Sequence, residues 1–443
     1  MLESTRGIRA LQSVTALLLA GVIAGALPAQ TPVPISLDQA IKLAQRASPS
    51  AIQARGTERA DRAAVRSAYG ALFPSVTASA GRVIQYGSAT TRINSSGEQV
   101  AIAQQPTNST GLNFNVQLFD GGQRLYDLRA ARANVTSSVA SELTTAYTIA
   151  LNVKQQYYAV LAALESEDAA NAQLQQAREQ FKSSVAKVNA GVATRSDSLR
   201  GVVTVNNAQL ALITAQANLS TANAALTRLV GSDTPVTADT ASVRENIGAL
   251  PDSTALIALA EQGPAVRQAQ ANVDAAAQLR RASRSTYLPS LSASYSRSGS
   301  GVGNFGLGNG AYSTNGRLSF SASYPIFNGF AREEGVVRAQ VAEDNAKATL
   351  RDAGLAATST LTGYIGSLRG AAERVKVQLA TVAAAQEDLR VQQQRYNIGA
   401  STLLDVLTSQ TTLQQAESAL ISARYDYRIT RAQIEALIGR DLQ

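Results

Sequence analysis

The chain has 443 residues, with 40 Lys and Arg against 32 Asp and Glu, and no His, Cys or Trp. The missing His and Cys exclude disulfides, Cys/His zinc sites and every His-based triad or acid–base pair. Nearly all of the positive charge is Arg, but the longest Lys/Arg run is Arg280-Arg281 and no basic stripe interleaves with aromatics, so nucleic acid is not an expected partner.

Residues 1–29 carry Arg6 and Arg9, an apolar stretch from Leu11 to Leu27, and the small-residue end Pro28-Ala29. This order predicts a secretory signal peptide, cleaved after Ala26 or Ala29. No later segment is apolar enough to cross a bilayer as a helix, so any membrane passage of the exported chain falls to strands. With no Cys, a lipid-anchored N-terminus is excluded as well.

Next come short helices, Leu37–Ser48 and Ser50–Phe73, stopped before Pro74. Two strands follow around a loop rich in Gly, Ser and Asn, then a very long helix, a tight Gly turn and a second long helix. The same order then repeats. Leu118-Phe119-Asp120-Gly121-Gly122 returns 208 residues on as Ile326-Phe327-Asn328-Gly329-Phe330. Asn189-Ala190-Gly191 returns as Asn397-Ile398-Gly399, and Gly231 as Gly439, at the same offset. Upstream, Pro49 matches Pro264 and Pro74 matches Pro289 at an offset of 215, so only the strand segment differs in length, by seven residues. The second copy's short helices are Ser253–Gln262 and Ala265–Tyr287.

The strands alternate. Leu112-Asn113-Phe114-Asn115-Val116-Gln117-Leu118 and Leu318-Ser319-Phe320-Ser321-Ala322-Ser323-Tyr324 each give one apolar and one polar face. A soluble sandwich shares that period. Here the polar positions are Ser, Asn and Gln, suited to a wet lumen, and Tyr86, Phe119, Tyr295, Tyr324 and Phe327 sit near strand ends like an interfacial girdle. Four strands cannot close a barrel and open edges are not tolerated in hydrocarbon, so several subunits must share one wall. The loops Gly87–Ser109 and Ser298–Asn315 are expected to face outside the cell.

No Pro interrupts 122–188 or 331–396, and roughly 67 residues of helix reach ~100 Å. The return helices keep a seven-residue repeat. Val406, Leu413, Leu420, Tyr427 and Ile434 form one row, with Ser409, Ala416, Ala423, Thr430 and Leu437 beside it. The first copy supplies Val205, Leu212, Leu219 and Leu226, with Ala208, Ala215, Ala222 and Leu229. Large residues in one row and mostly small ones in the other predict a close coiled-coil seam.

The run Arg395-Tyr396-Asn397-Ile398-Gly399-Ala400-Ser401-Thr402-Leu403-Leu404-Asp405-Val406-Leu407, continuing to Ala423-Arg424-Tyr425-Asp426-Tyr427, resembles the TolC-type outer-membrane efflux family, as does essentially the whole mature chain. Asn189 to Asp197 is a weaker copy. The resemblance implies a mixed α/β membrane protein, in which three chains of four strands form a trimeric 12-stranded transmembrane β-barrel. That barrel would be continuous with a long periplasmic α-helical coiled-coil barrel, built from two internal structural repeats. It implies a channel subunit of a tripartite efflux or type I secretion system in the outer membrane, and not an enzyme. The implied partners are a periplasmic adaptor protein, an inner-membrane transporter and outer-membrane lipid, with no cofactor.

The resemblance also implies a periplasmic gate beside the tip turns at Gly191 and Gly399. Tyr396 matches a tyrosine that ties helix pairs shut, Asp197 its acidic counterpart in the first copy, and Asp405 an acid of the constriction ring. The second ring acid is replaced by Thr408. Ser401 stands where a basic tie is expected, while the first copy offers Arg195. For the two acids, a helix-start aspartate that favours the helix dipole is the competing reading.

This divides the chain into a signal peptide (1–29), a first repeat (30–231), a linker or equatorial segment (232–252), a second repeat (253–439) and a tail (440–443). The rival class is a pore-less periplasmic coiled-coil adaptor or tether, although adaptors carry strand-dense domains after their hairpins. A carboxylate enzyme ranks third: Glu333-Glu334 and Glu387-Asp388 fall on helix surfaces with no pocket signal. With no His and one Met, a soft-metal relay is not expected. The exported substrate is not written in the chain.

Overall fold

Sixty-seven residues without Pro form a single helix, and the chain does this twice. The computed structural model describes residues 32–86, 90–102, 106–240, 253–302 and 312–442. The proposed signal segment and residues 241–252 of the linker lie outside them. In chain order the elements are β1 (Val33–Ile35), α1 (Leu37–Ala47), α2 (Pro49–Gly70), β2 (Ser75–Val83), β3 (Thr90–Ile93), β4 (Gln99–Ile102) and β5 (Thr107–Phe119). Then come α3 (Gln123–Asn189), α4 (Arg195–Val230), β6 (Val236–Ala238), α5 (Ser253–Ala260) and α6 (Pro264–Ser285). The chain closes with β7 (Ser290–Val302), β8 (Tyr312–Ser323), α7 (Ala331–Asn397) and α8 (Leu403–Ile438).

The protein is mostly helical, with two repeat-like halves: α3 and α7 have 67 residues each, α4 and α8 have 36 each. Pro49 and Pro264 open α2 and α6, where a missing N–H costs nothing. Among the described residues no helix is long and apolar enough to cross a membrane. The described residues cluster into two compact units, one from 32–44, 153–240 and 384–425, the other from 45–152, 253–383 and 426–442.

In the first unit, Ala170, Leu174 and Ala177 of α3 meet Ala208, Leu212 and Ala215 of α4, with Val205 packed against them. Small residues let the backbones approach. A Cβ on Gly201 of α4 would lie 2.8 Å from the Phe181 ring. The other side of α3 faces α8: Gln173 donates to Gln414 at 2.9 Å, and the Tyr425 hydroxyl donates to Glu165 at 2.7 Å. In turn α8 holds α7, where Ser409 donates to Asp388. Heptad residues Val406 and Leu226 are fully buried, each contributing about 1.5–3 kcal/mol of apolar burial.

Two short strands in this unit escape sequence reading. β1 and β6 pair in parallel, with Val33 opposite Val236 and Ile35 opposite Ala238. The fully buried Tyr157 of α3 fastens them. Its oxygen lies 3.0 Å from the Ile35 carbonyl and accepts the Asp239 N–H at 3.0 Å.

The second unit holds an antiparallel sheet of order β2-β5-β7-β8, in which the two copies join through β5 and β7. Register lines up the faces. Val76, Phe114, Tyr295 and Leu318 form one cross-sheet row, and Val116, Ala293 and Phe320 another. Ser75, Asn115, Ser294 and Ser319 form a row on the opposite face. The apolar face is bare in the single chain, with Leu318 62% and Phe320 71% exposed. The strand pair of the first copy carries an additional hairpin, β3 with β4, around a turn at Asn94 and Gly97.

Where strand becomes helix, Arg124 bonds Asp120, the Ala71 carbonyl and the Gln117 carbonyl. Its counterpart Arg332 keeps the equivalent bond, to the Pro325 carbonyl at 3.2 Å, and also stacks on Tyr287, 4.5 Å from the ring centroid. Beyond the junction, Ser137 of α3 donates to Asn272 of α6, and Arg280 of α6 pairs with the buried Glu343 of α7, which Lys347 also reaches.

Candidate functional site at the helix turns

The first unit contains both turns that reverse the long helices. Each ends in a left-handed glycine, Gly191 at φ 76° and Gly399 at φ 77°. In the first turn, Gly191 N–H donates to the Val188 carbonyl and Val192 N–H to Lys187, both at 3.0 Å. In the second, Gly399 N–H donates to Tyr396 at 3.2 Å and Ala400 N–H to Arg395 at 2.8 Å. These paired bonds satisfy carbonyls that a helix end leaves open.

The return helices start alike too. Thr194 N–H donates to Asp197 Oδ2 at 3.0 Å, and Asp197 N–H donates back to Thr194 Oγ1 at 3.3 Å. Thr402 and Asp405 repeat this at 2.8 Å and 3.3 Å. Both pairs are capping boxes. Hydrogen bonds from the backbone N–H and then the hydroxyl of Thr194 hold the Asp197 carboxyl below its ordinary range, and Thr402 does the same for Asp405.

The other gate residues scatter around these starts. Arg195 is exposed on the first turn of α4. Thr408 is exposed on α8 and donates to its own helix at the Leu404 carbonyl, 2.9 Å away. Ser401 donates to the Gln392 carbonyl at 3.3 Å. Tyr396 is half-buried and meets a residue that sequence reasoning did not single out: Lys187 Nζ lies over its ring, 3.8 Å from the centroid. The caps had a visible signal, since Thr-x-x-Asp stands before each return helix. Lys187 had none.

A four-stranded sheet with one bare apolar face, feeding paired long helices that reverse at duplicated glycine turns, is the architecture of an outer-membrane channel protein. The outer membrane efflux protein family matches residues 40–232 and again 256–440, and the chain belongs to that family. Outer membrane protein TolC of Escherichia coli (strain K12) is 24% identical over 348 residues, covering 75% of this chain and 70% of that protein. Protein CyaE of Bordetella pertussis is 26% identical over 412 residues, covering 90% and 81%. The fold is shared with the crystal structure of the outer membrane protein VceC from Vibrio cholerae, with a TM-score of 0.72, 18% identity, and coverage of 92% of this chain and 97% of that one. This protein is accordingly an outer-membrane channel for efflux or secretion.

Proposed function

We propose that three copies of this chain close one twelve-stranded barrel, continued into the periplasm by their long helices, through which substrates leave unchanged. The observation that carries this reading is the sheet β2-β5-β7-β8, whose apolar rows through Phe114 and Val116 lie side by side on one face and whose edges β2 and β8 pair with no further strand among the described residues. Lipid is the medium that suits such a face, and no bare edge survives in hydrocarbon. A second copy must therefore pair with each edge. The first unit supports the same closure: its outer helix α4 exposes Leu199, Val203, Leu210 and Ile213 at helical spacing, an apolar stripe that a neighbouring subunit would cover.

In this reading residues 30–231 and 253–439 are the two repeats, and the tip turns face an adaptor protein recruited with an inner-membrane transporter. Gly191, Gly399, Arg195, Asp197, Tyr396, Asp405 and Thr408 surround the entrance. No chemistry is required of them, and the Asp405 carboxylates of three copies would concentrate cations at the mouth. A pore-less tether gains nothing from an alternating sheet.

The test is assembly and conductance. Detergent-extracted protein should sediment as a trimer and conduct ions in planar bilayers. A stable monomer that remains soluble without detergent would overturn the proposal.

A further inference from the structure

The two hairpins of one chain, α3 with α4 and α7 with α8, are bridged along their length by Gln410 donating to Gln180 and Gln173 to Gln414, and at their tips they meet through a charge over a ring. Lys187 sits in the last turn of α3 and Tyr396 in the last turn of α7, each half-buried, with the ammonium 3.8 Å from the ring centroid. The duplication does not produce this contact by symmetry. At the 208-residue offset Lys187 corresponds to Arg395, but Tyr396 corresponds to Val188, so only one copy supplies a ring and only the other supplies the cation resting on it.

The surrounding polar groups are committed elsewhere. Asp197 and Asp405 accept from Thr194 and Thr402 in their own helix starts. Ser401, at the position where a basic tie is expected from the resemblance, donates to the backbone of α7. A cation over an aromatic face is attracted by the ring quadrupole, and a lysine that lies on the ring gives up full hydration and chain freedom to stay there.

We propose that Lys187 is the clasp of the entrance: its ammonium, seated on the Tyr396 ring, holds the two tip hairpins of each subunit together and sets how far the mouth rests open. The proposal depends on the channel reading above. It assigns the tie to the face of the ring and not to its hydroxyl. Separation of the hairpins pulls the cation off the ring, and the contact re-forms when they return.

Single-channel recording of the intact protein in planar bilayers tests this, with trimer yield checked for every variant. Lys187→Met keeps a good helix former and removes the charge, and Tyr396→Leu removes the ring. Each should raise resting conductance by about two- to five-fold, the range expected for one cation–π contact. The double variant Lys187→Met/Tyr396→Leu should rise no further than either single change. Lys187→Arg and Tyr396→Phe keep cation and ring, and should conduct like the parent. A Tyr396→Phe channel as open as Tyr396→Leu would assign the tie to the hydroxyl and overturn the proposal. So would a Lys187→Met trimer with parental conductance. If the parent protein itself forms no channel, the channel reading fails first, and that outcome is distinct from both.

Discussion

Phe330 holds a left-handed backbone, φ 65°, at the position matched 208 residues earlier by Gly122 at φ 85°. For a residue with a Cβ that conformation costs about 1–2 kcal/mol. The ring packs edge-on against Phe327, with centroids 5.5 Å apart at 89°, which offsets part of the cost. Phe330→Ala keeps the strain and loses the ring, whereas Phe330→Gly loses both. The glycine variant should therefore be the more stable of the two by about 1 kcal/mol. Denaturant melts of both in one detergent check this; equal midpoints would mean the backbone relaxes out of the left-handed region.

Gly439 and Gly191 share a positive φ but not their surroundings. A Cβ on Gly439 would lie 2.6 Å from Cγ of Pro264, on a ring that cannot swing away, whereas one on Gly191 meets nothing within 4 Å. Gly191→Ala should cost only the backbone term, about 1 kcal/mol. Gly439→Ala adds displacement of the start of α6 and should cost at least about 2–3 kcal/mol. Thermal melts that rank the two equally would show that Pro264 moves freely.

Asp197 and Asp405 carry a pH dependence whose sign follows from their caps. Hydrogen bonding to Thr194 and Thr402 lowers each folded pKa below the ordinary 3.8. Their contribution is complete above that unfolded value and fades as pH falls through the lowered folded one. A nitroxide on Ser196 should stay immobile at neutral pH and gain mobility below about pH 4. Asp197→Asn keeps an acceptor without the titration and should flatten that profile. An unchanged acid response in Asp197→Asn would place the sensitive group elsewhere.

Tyr157→Phe tests the anchor of β1 and β6. The ring stays, but the Asp239 N–H is left with the Ile35 carbonyl, 3.1 Å away, and the hydroxyl that bonds both groups is gone. The expected loss is about 0.5–1.5 kcal/mol, with faster hydrogen exchange at the Asp239 amide. Parental exchange at that amide would mean the bond to the Ile35 carbonyl alone protects it.

Much of this architecture is legible because its periods are long. Sixty-odd residues without Pro announce α3 and α7 to within a residue of their ends, and the seven-residue rows through Val406 and Leu212 mark faces that are buried. Alternation from Leu112 to Leu118 gives a strand and its two faces. It does not say that β5 pairs with β7 of the other copy, since pairing order leaves no local mark. β1 and β6 have three residues each, too few for any period, and are joined in parallel across some two hundred residues. The hairpin turn at Asn94 and Gly97 used turn-forming residues absorbed into a loop reading. At the tips, Thr194 and Thr402 were readable as caps. Lys187 was not, because a lysine near a helix end is ordinary until the distant ring beneath it is known.

The seven-residue difference between the copies falls only in the strand segment: the short helices before it keep a 215-residue spacing, and the long helices and turns after it a 208-residue one. One residue inserted into α3 would turn everything beyond it by about 100° and advance it ~1.5 Å, carrying Ala177 and Leu174 off the α4 seam. A loop at the end of the sheet absorbs the same insertion without moving any partner. The two halves can therefore drift in residue identity, yet they remain gauged to one another in length. Change in chain length between the copies is confined to the strand segment.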